Sequence, residues 1–198
     1  MTDRITYSNN ISTRSINKFL PICKRKNYTI TKATTNQDRI EHWDYQINAP
    51  KGSKLVDLKA QKDNCWDTTY LEFIGVTGHD GWLFGKSDYI LFEQQIGFIA
   101  VPTNHLSQWA LEKAGVKDLS EIRNYYKIFF TKEGKMINVP RYASGANLFS
   151  KDKELYKLYS RQPWFNPKIK KSLERHDVMM KVQIKDMKKD IKNHFIFV

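Results

Sequence analysis

Alternating apolar and polar positions predict strands along most of the first half of the chain. Ile40 to Ile47 alternates strictly, and a second strand, Lys54 to Ala60, follows it after the turn at 48–53. The two segments predict an antiparallel hairpin. Runs rich in β-formers predict further strands at Thr68–Val76, Ser87–Phe92, Phe98–Val101, Tyr125–Phe130, Met136–Val139, Asp177–Ile184 and His194–Val198.

Helical signals are fewer. Thr13 to Arg25 has apolar residues at helical spacing, although Pro21 interrupts it. Thr103 is a good N-cap for a helix that Gly115 ends, and Tyr156 to Arg161 is a short helical candidate. Six or more strands with few helices indicate an α+β fold, and the absence of a repeat or linker indicates a single domain over residues 1–198.

Charge divides the chain into three parts. The net charge is +12, from 33 Lys and Arg against 21 Asp and Glu. Residues 1–37 carry a net +6 and residues 151–198 a net +7, whereas the centre is close to neutral at −1. Basic ends around a neutral centre predict a polyanionic partner, most often nucleic acid, although lysine-rich proteins can also be basic without a specific reason.

Several classes are disfavoured by composition. No run approaches the roughly 18 apolar residues of a membrane span, and residues 1–10 lack the apolar core of a signal peptide, so we expect a cytoplasmic protein without a membrane partner. Two cysteines, Cys23 and Cys65, do not make a disulfide scaffold. No histidine or cysteine spacing indicates zinc or a cysteine nucleophile.

The predicted hairpin places two carboxylates opposite each other. If Asn48 faces Ser53, then Asp44 faces Asp57 on the same side of the sheet, at a Cβ separation of roughly 4.5–5.5 Å. Lys59 follows two residues later on that face, and His42 is expected to oppose it. A one-residue change of register would separate these groups.

Two carboxylates at that distance repel each other unless a proton or a cation intervenes. Mg²⁺ takes such oxygen ligands, and a neighbouring ammonium can orient water or offset phosphate charge, which is the chemistry of phosphodiester hydrolysis. The alternative is a structural ion pair between Lys59 and one of the aspartates. Asp57 nevertheless interrupts an apolar strand, where an unpaired carboxylate is costly.

Asp44, the turn and Asp57-Leu58-Lys59 resemble the PD-(D/E)XK nuclease superfamily, which includes restriction endonucleases and Holliday-junction resolvases. The segments 70–78 and 81–93 are similar to phage and bacterial proteins of this type, in which a strand, a Gly-Trp loop and an apolar strand follow the lysine. The resemblance covers roughly residues 38–106. It implies a restriction-endonuclease-like mixed β-sheet flanked by helices, with Mg²⁺ on Asp44 and Asp57 and a catalytic Lys59.

Three features depart from that family or stay open. Relatives often supply a glutamate from the first helix, but residues 1–37 contain none, which leaves Asp38 or Glu41 as substitutes. Glu72 is either a further catalytic carboxylate or an exposed strand residue. Trp82, in the glycine-rich loop 75–85, either stacks on a base or anchors the loop to the core.

The resulting hypothesis is an endonuclease that hydrolyses DNA with Mg²⁺, for which Mn²⁺ can substitute. The alternative is a nucleic-acid-binding protein, such as a phage accessory protein, that keeps the fold without catalysis; a phage protein would act in the host cytoplasm. RNA as substrate and a homodimer stay open. Phosphate contacts are expected from the basic segments, at Lys24, Arg25, Lys26, Lys168, Lys170 and Lys171.

Overall fold

One long helix and a mixed sheet form the framework for the residues discussed above. The computed structural model describes residues 2–61, 66–75, 79–123, 125–130, 136–140 and 178–198. The helices in these ranges are α1 (Thr2–Arg25), α2 (Thr103–Ala114), α3 (Leu119–Arg123) and α4 (Ile184–Asp190). The strands are β1 (Thr29–Lys32), β2 (Tyr45–Ala49), β3 (Gly52–Lys59), β4 (Thr68–Ile74), β5 (Tyr89–Glu93), β6 (Phe98–Pro102), β7 (Tyr125–Phe130), β8 (Met136–Pro140), β9 (Val178–Gln183) and β10 (Phe195–Phe197).

Six of these strands form the main sheet, in the order β1-β2-β3-β5-β6-β10. All neighbours in this sheet are antiparallel except β3 and β5, which run parallel. Strand β4 pairs with β9, and β7 pairs with β8, in two separate two-stranded sheets. The expected α+β class with flanking helices is confirmed, and the sheet is mostly antiparallel.

The contacts divide the chain into two compact units. The first contains residues 1–71, 81–110 and 181–198, and therefore the whole six-stranded sheet and α1. The second contains residues 72–80 and 111–180, which include the β7–β8 hairpin. Both of its strands were expected from their β-rich sequences and are confirmed.

The β2–β3 hairpin has the register that the sequence predicts. Asn48 pairs with Ser53, and the ladder continues to Tyr45 opposite Val56. Gly52 lies in the turn at φ 120°, a backbone conformation that favours glycine over residues with a side chain. Because the register is correct, Asp44 and Asp57 fall next to each other at the end of this ladder.

Helix α1 covers one face of the six-stranded sheet. Phe19, Ile22 and Cys23 on α1 are buried in a cluster with Tyr45, Ile47 and Val56 of the hairpin. Phe19 is fully buried and its ring lies 5.2 Å from that of Tyr45. Side chains alternate across a strand, so Val56 faces α1 whereas Asp57 points to the opposite side. Burial of these apolar groups is what fixes the register.

The sequence-based element predictions need corrections before β2 begins at Tyr45. Helix α1 begins at Thr2, well before Thr13, and β1 was not predicted because Thr29–Lys32 carries only one aliphatic residue. The predicted strand Ile40–Ile47 is wrong in its first half. A π-helical turn occupies Gln37–Glu41, and His42 follows it at φ 56°.

Two short helices were also not predicted. Helix α3 lies at Leu119–Arg123, and α4 directly follows β9, where the sequence-based strand extended to Ile184. The predicted helix at Tyr156–Arg161 lies outside the described residues. No helix in the described part of the chain is both long and apolar enough to cross a membrane.

Candidate active site

Asp44 and Asp57 lie side by side where the β2–β3 ladder ends. The backbone N–H of Asp44 donates to the carbonyl of Val56 at 2.8 Å, which continues the hairpin by one residue. The Asp44 Oδ2 atom accepts the N–H of Leu58 at 2.7 Å, so its carboxylate bends toward β3. Asp57 is 4% exposed, although it is a carboxylate in an apolar strand.

The two carboxyl groups strongly affect each other. Burial, and then the charge of Asp57, raise the pKa of Asp44 from 3.8 to about 7. Burial also raises the pKa of Asp57, while Lys59 and a hydrogen bond with Asp44 act in the opposite direction. The pair therefore tends to retain a proton near neutral pH unless a cation compensates its charge.

Lys59 completes this arrangement from the same strand. Its Nζ atom lies 2.7 Å from Asp57 Oδ2 and 4.4 Å from the centre of the Trp82 ring. The Lys59 side chain is one-quarter exposed, so its ammonium is reachable from solvent. The expected grouping of Asp44, Asp57 and Lys59 is thus present. The expected position of His42 opposite Lys59 is wrong, because β2 begins only at Tyr45 and His42 has a left-handed backbone.

Trp82 anchors its loop. The ring is 9% exposed and makes an edge contact with Phe92 at 6.2 Å between ring centres. Its remaining interaction with Lys59 is a cation–π contact, which is attractive at this distance. Trp82 therefore limits where the ammonium can move, and its burial favours the anchoring interpretation over base stacking.

The Trp82 loop is held against the segment that precedes Asp44. The Lys86 N–H donates to the Glu41 carbonyl at 2.7 Å, and the Lys86 ammonium lies 2.8 Å from Glu41 Oε1. A Cβ atom on Gly85 would lie 2.5 Å from His42 Cβ and 2.8 Å from the Glu41 carbonyl oxygen. Only glycine permits this approach without rearrangement.

The structure distinguishes the two candidates for a third carboxylate. Glu41 is used elsewhere: it binds Lys86 and accepts a hydrogen bond from Trp43 Nε1 at 2.9 Å. Asp38, by contrast, lines the same pocket as Asp44, and its charge contributes to the raised pKa of both Asp44 and Asp57. Asp38 is therefore the better substitute for the missing helix glutamate.

A second buried carboxylate, Glu93, was not predicted. Glu93 is completely buried at the end of β5, where it binds Arg14 Nη2 at 2.9 Å and Lys18 Nζ at 2.8 Å. It also accepts the Gln61 N–H at 3.2 Å. These contacts fasten α1 to the strand beside β3. Two features of the sequence could have indicated this cluster: Glu93 ends an apolar strand, and Arg14 and Lys18 are spaced four residues apart in a helical segment.

A polar pocket of about 340 Å³ adjoins Asp44. Its mouth carries the exposed residues Ser12, Lys32 and Asp38, and its interior is lined by the residues Ser15, Ile16, Asp44, Tyr45, Leu58 and Ala60. Ser15 is 1% exposed, and its hydroxyl has no hydrogen-bond partner within the part of the chain that the structure describes.

Of the other predicted site residues, the structure describes Glu72, Lys24, Arg25 and Lys26. Glu72 is half-buried on β4 in the second unit, and its catalytic role stays a prediction. Lys24 and Arg25 end α1, and Lys26 follows it; all three are exposed. Lys168, Lys170 and Lys171 lie outside the described residues.

The donor set suits a hard divalent cation. Asp44 and Asp57 offer carboxylate oxygens, and a cation between them would relieve the repulsion that raises the Asp44 pKa. In the described ranges, no group of three or more His, Cys, Asp or Glu side chains is arranged to hold a metal ion. Mg²⁺ here would therefore bind two carboxylates and keep several waters, as it commonly does.

Comparison with known proteins adds no relative. No family model matches the sequence, and neither the curated proteins nor the solved structures include a significant match.

Proposed function

We propose that this protein is a Mg²⁺-dependent endonuclease that hydrolyses DNA phosphodiester bonds. The observation that supports this most directly is the adjacency of Asp44, Asp57 and Lys59 at the end of the β2–β3 ladder. One ammonium next to two carboxylates in a low-dielectric position leaves negative charge uncompensated, which a bound divalent cation would balance.

Each side chain has a distinct part in this proposal. Asp44 and Asp57 would hold the cation, with Asp38 at the pocket mouth adding negative charge nearby. Bound Mg²⁺ supplies Lewis-acid stabilisation and a more acidic water. Lys59 lies within reach of solvent beside the pair, where its ammonium can stabilise the charge that develops on the phosphate. Trp82 limits the positions of that ammonium.

The fold proposal is a restriction-endonuclease-like core. Its support is the mixed sheet in which β3 carries Asp57 and Lys59 at its end, with an antiparallel partner on one side and the parallel β5 on the other. Helix α1 covers one face, and Asp57 points to the other. A cytoplasmic location and a homodimer stay predictions.

DNA is the proposed partner because of the basic ends of the chain. The exposed cations at Lys24, Arg25 and Lys26 lie together at the end of α1, in a chain with a net charge of +12. If about five phosphates are neutralised, the logarithm of the binding constant should fall with the logarithm of the salt concentration with a slope of about −4 to −5.

The test compares wild type with Asp57→Asn on supercoiled plasmid DNA, with Mg²⁺ or with EDTA. Wild type should nick or linearise the plasmid only with Mg²⁺, whereas Asp57→Asn should not cleave but should still bind DNA. Asp88→Asn is the matched control, because Asp88 makes a more exposed ion pair, with Lys54, and accepts the Leu55 N–H, an acceptor role that asparagine can keep. An Asp57→Asn variant that cleaves at the wild-type rate would contradict the assignment.

A nucleic-acid-binding protein without catalysis is the second candidate. The observation that favours it is the 2.7 Å contact between Lys59 and Asp57, which partly neutralises the buried carboxylate without a metal. This candidate predicts salt-dependent DNA binding with no cleavage in Mg²⁺ or Mn²⁺. It also predicts that neither cation raises the melting temperature.

A further inference from the structure

The pocket beside Asp44 is lined by both polar and apolar residues. Ser15 is one of its lining residues; it is 1% exposed, and its hydroxyl has no hydrogen-bond partner in the described part of the chain. Buried hydroxyls are normally hydrogen-bonded, so such a group needs a partner from a ligand or a water. Ile16, Tyr45 and Leu58 supply apolar surface in the same pocket.

The pocket has the volume of a site for one small molecule or one nucleotide. Its volume of about 340 Å³ falls at the lower end of the roughly 300–1,000 Å³ that small-molecule sites occupy. Sites that hold a base outside its stack combine hydrogen-bonding groups with apolar surface, and the lining of this pocket provides both. A double helix cannot enter such a space, whereas a single base with its sugar can.

The position of the pocket links it to the proposed reaction. Asp44 lines the pocket and also contacts Asp57, which does not line it, so a group in the pocket lies next to Asp44. Lys32 at the mouth is exposed and is placed to contact a phosphate. A nucleotide bound here would therefore be a near neighbour of the phosphate that is cleaved.

We propose that this pocket receives an unpaired nucleotide adjoining the scissile phosphate, an inference that rests on the nuclease function proposed above. The substrate class is then DNA with an unpaired nucleotide at the cleavage position, such as a single strand or a flap. A nucleotide in a uniform duplex must first leave its stack, and that unstacking opposes its cleavage.

Two substitutions on α1, Ser12→Phe and Ser15→Ala, test the pocket with little risk to the fold. Ser12 and Thr13 are both exposed neighbours, but only Ser12 lines the pocket. Ser12→Phe should obstruct the mouth, and Thr13→Phe is the matched control. Ser15→Ala removes the buried hydroxyl while leaving the pocket open.

The first measurement is single-turnover cleavage, with Mg²⁺, of three DNAs of the same sequence: a single strand, a flap and a uniform duplex. We expect the unpaired substrates to be cut at least about tenfold faster than the duplex. Ser12→Phe should lose this preference and Thr13→Phe should keep it. Equal or faster cleavage of the uniform duplex would overturn the inference and leave the nuclease proposal standing.

The second measurement does not depend on cleavage. Titration with dTMP or dAMP, followed by NMR, should shift the amide signals of Ser15 and Leu58 in wild type and in Thr13→Phe. Ser12→Phe and Ser15→Ala should weaken these shifts. If no DNA is cleaved but the shifts occur as described, the nuclease proposal fails and the nucleotide pocket remains. Unchanged signals in wild type, or shifts that Ser12→Phe does not reduce, would overturn the pocket.

Discussion

The carboxylate pair predicts that the metal-free protein loses stability as the pH rises. The pKa of Asp44 is raised from 3.8 to about 7 in the folded chain, chiefly by burial and by Asp57. Between these values the folded state binds more protons than the unfolded state does, so the free energy of unfolding decreases with increasing pH. The contribution is fully present below pH 3.8 and is lost as the pH rises through about 7.

The size of this effect follows from the shift. About three pKa units at ~1.4 kcal/mol each give a loss of about 4 kcal/mol between the two limits. Because a whole domain has a free energy of unfolding of roughly 5–15 kcal/mol, such a loss would be readily measured. A divalent cation on Asp44 and Asp57 favours the ionised form, so it should remove much of the difference.

The assay is urea unfolding in EDTA at several pH values from 4 to 8, with wild type and Asp44→Asn in parallel. The variant lacks the Asp44 carboxyl and keeps Asp57, so the difference in unfolding free energy between the two proteins should change by several kcal/mol over this range. Repeating the series in Mg²⁺ should raise wild-type stability at pH 8 and leave Asp44→Asn nearly unchanged. Parallel profiles of the two proteins in EDTA would refute the reasoning about the pair.

Three further substitutions test other contacts of the site. Lys59→Ala should lower the single-turnover cleavage rate about a hundredfold, equivalent to ~2.7 kcal/mol, with little change in DNA affinity. If the variant instead melts at a much lower temperature and cleaves at the wild-type rate in saturating Mg²⁺, Lys59 forms a structural ion pair. Gly85→Ala should destabilise the fold by about 1–3 kcal/mol in urea unfolding, because the added Cβ would lie 2.5 Å from His42 Cβ. Gly75→Ala is the control and should be near neutral, because the atom nearest to its added Cβ is the His79 carbonyl oxygen, at 3.9 Å. Glu93→Gln should cost about 1–3 kcal/mol in the same assay, because the buried carboxylate binds Arg14 and Lys18; a neutral outcome would mean that α1 does not depend on these contacts.

The hairpin could be predicted from sequence because local rules determine it. Alternation defines the buried face, a short turn fixes which residues pair, and together they place Asp44 beside Asp57. The same rules place Lys59 two residues further along β3, on the side of Asp57. These steps depend on neighbours close in the chain, so they are readable without the structure.

The segment before Asp44 could not be predicted in this way. Residues 40–43 continue the alternation of a strand, yet a π-helical turn and the left-handed His42 occupy this region. The contacts that accompany this conformation come from Gly85 and Lys86, more than 40 residues away. The contacts of Glu93 with α1 are also long-range, 75 and 79 residues apart. No local pattern encodes such pairings.

The order of the strands has a consequence for how the chain folds. The β2–β3 turn brings Asp44 and Asp57 together across a loop of a few residues, whereas the parallel pairing of β3 with β5 must close a much longer segment. Short loops close with less entropy cost, so the hairpin is expected to be among the earliest long-lived contacts. The repulsion between the carboxylates would then act on the folding transition state. Raising the pH should slow folding of wild type, and Asp44→Asn should remove that dependence, while unfolding rates change less.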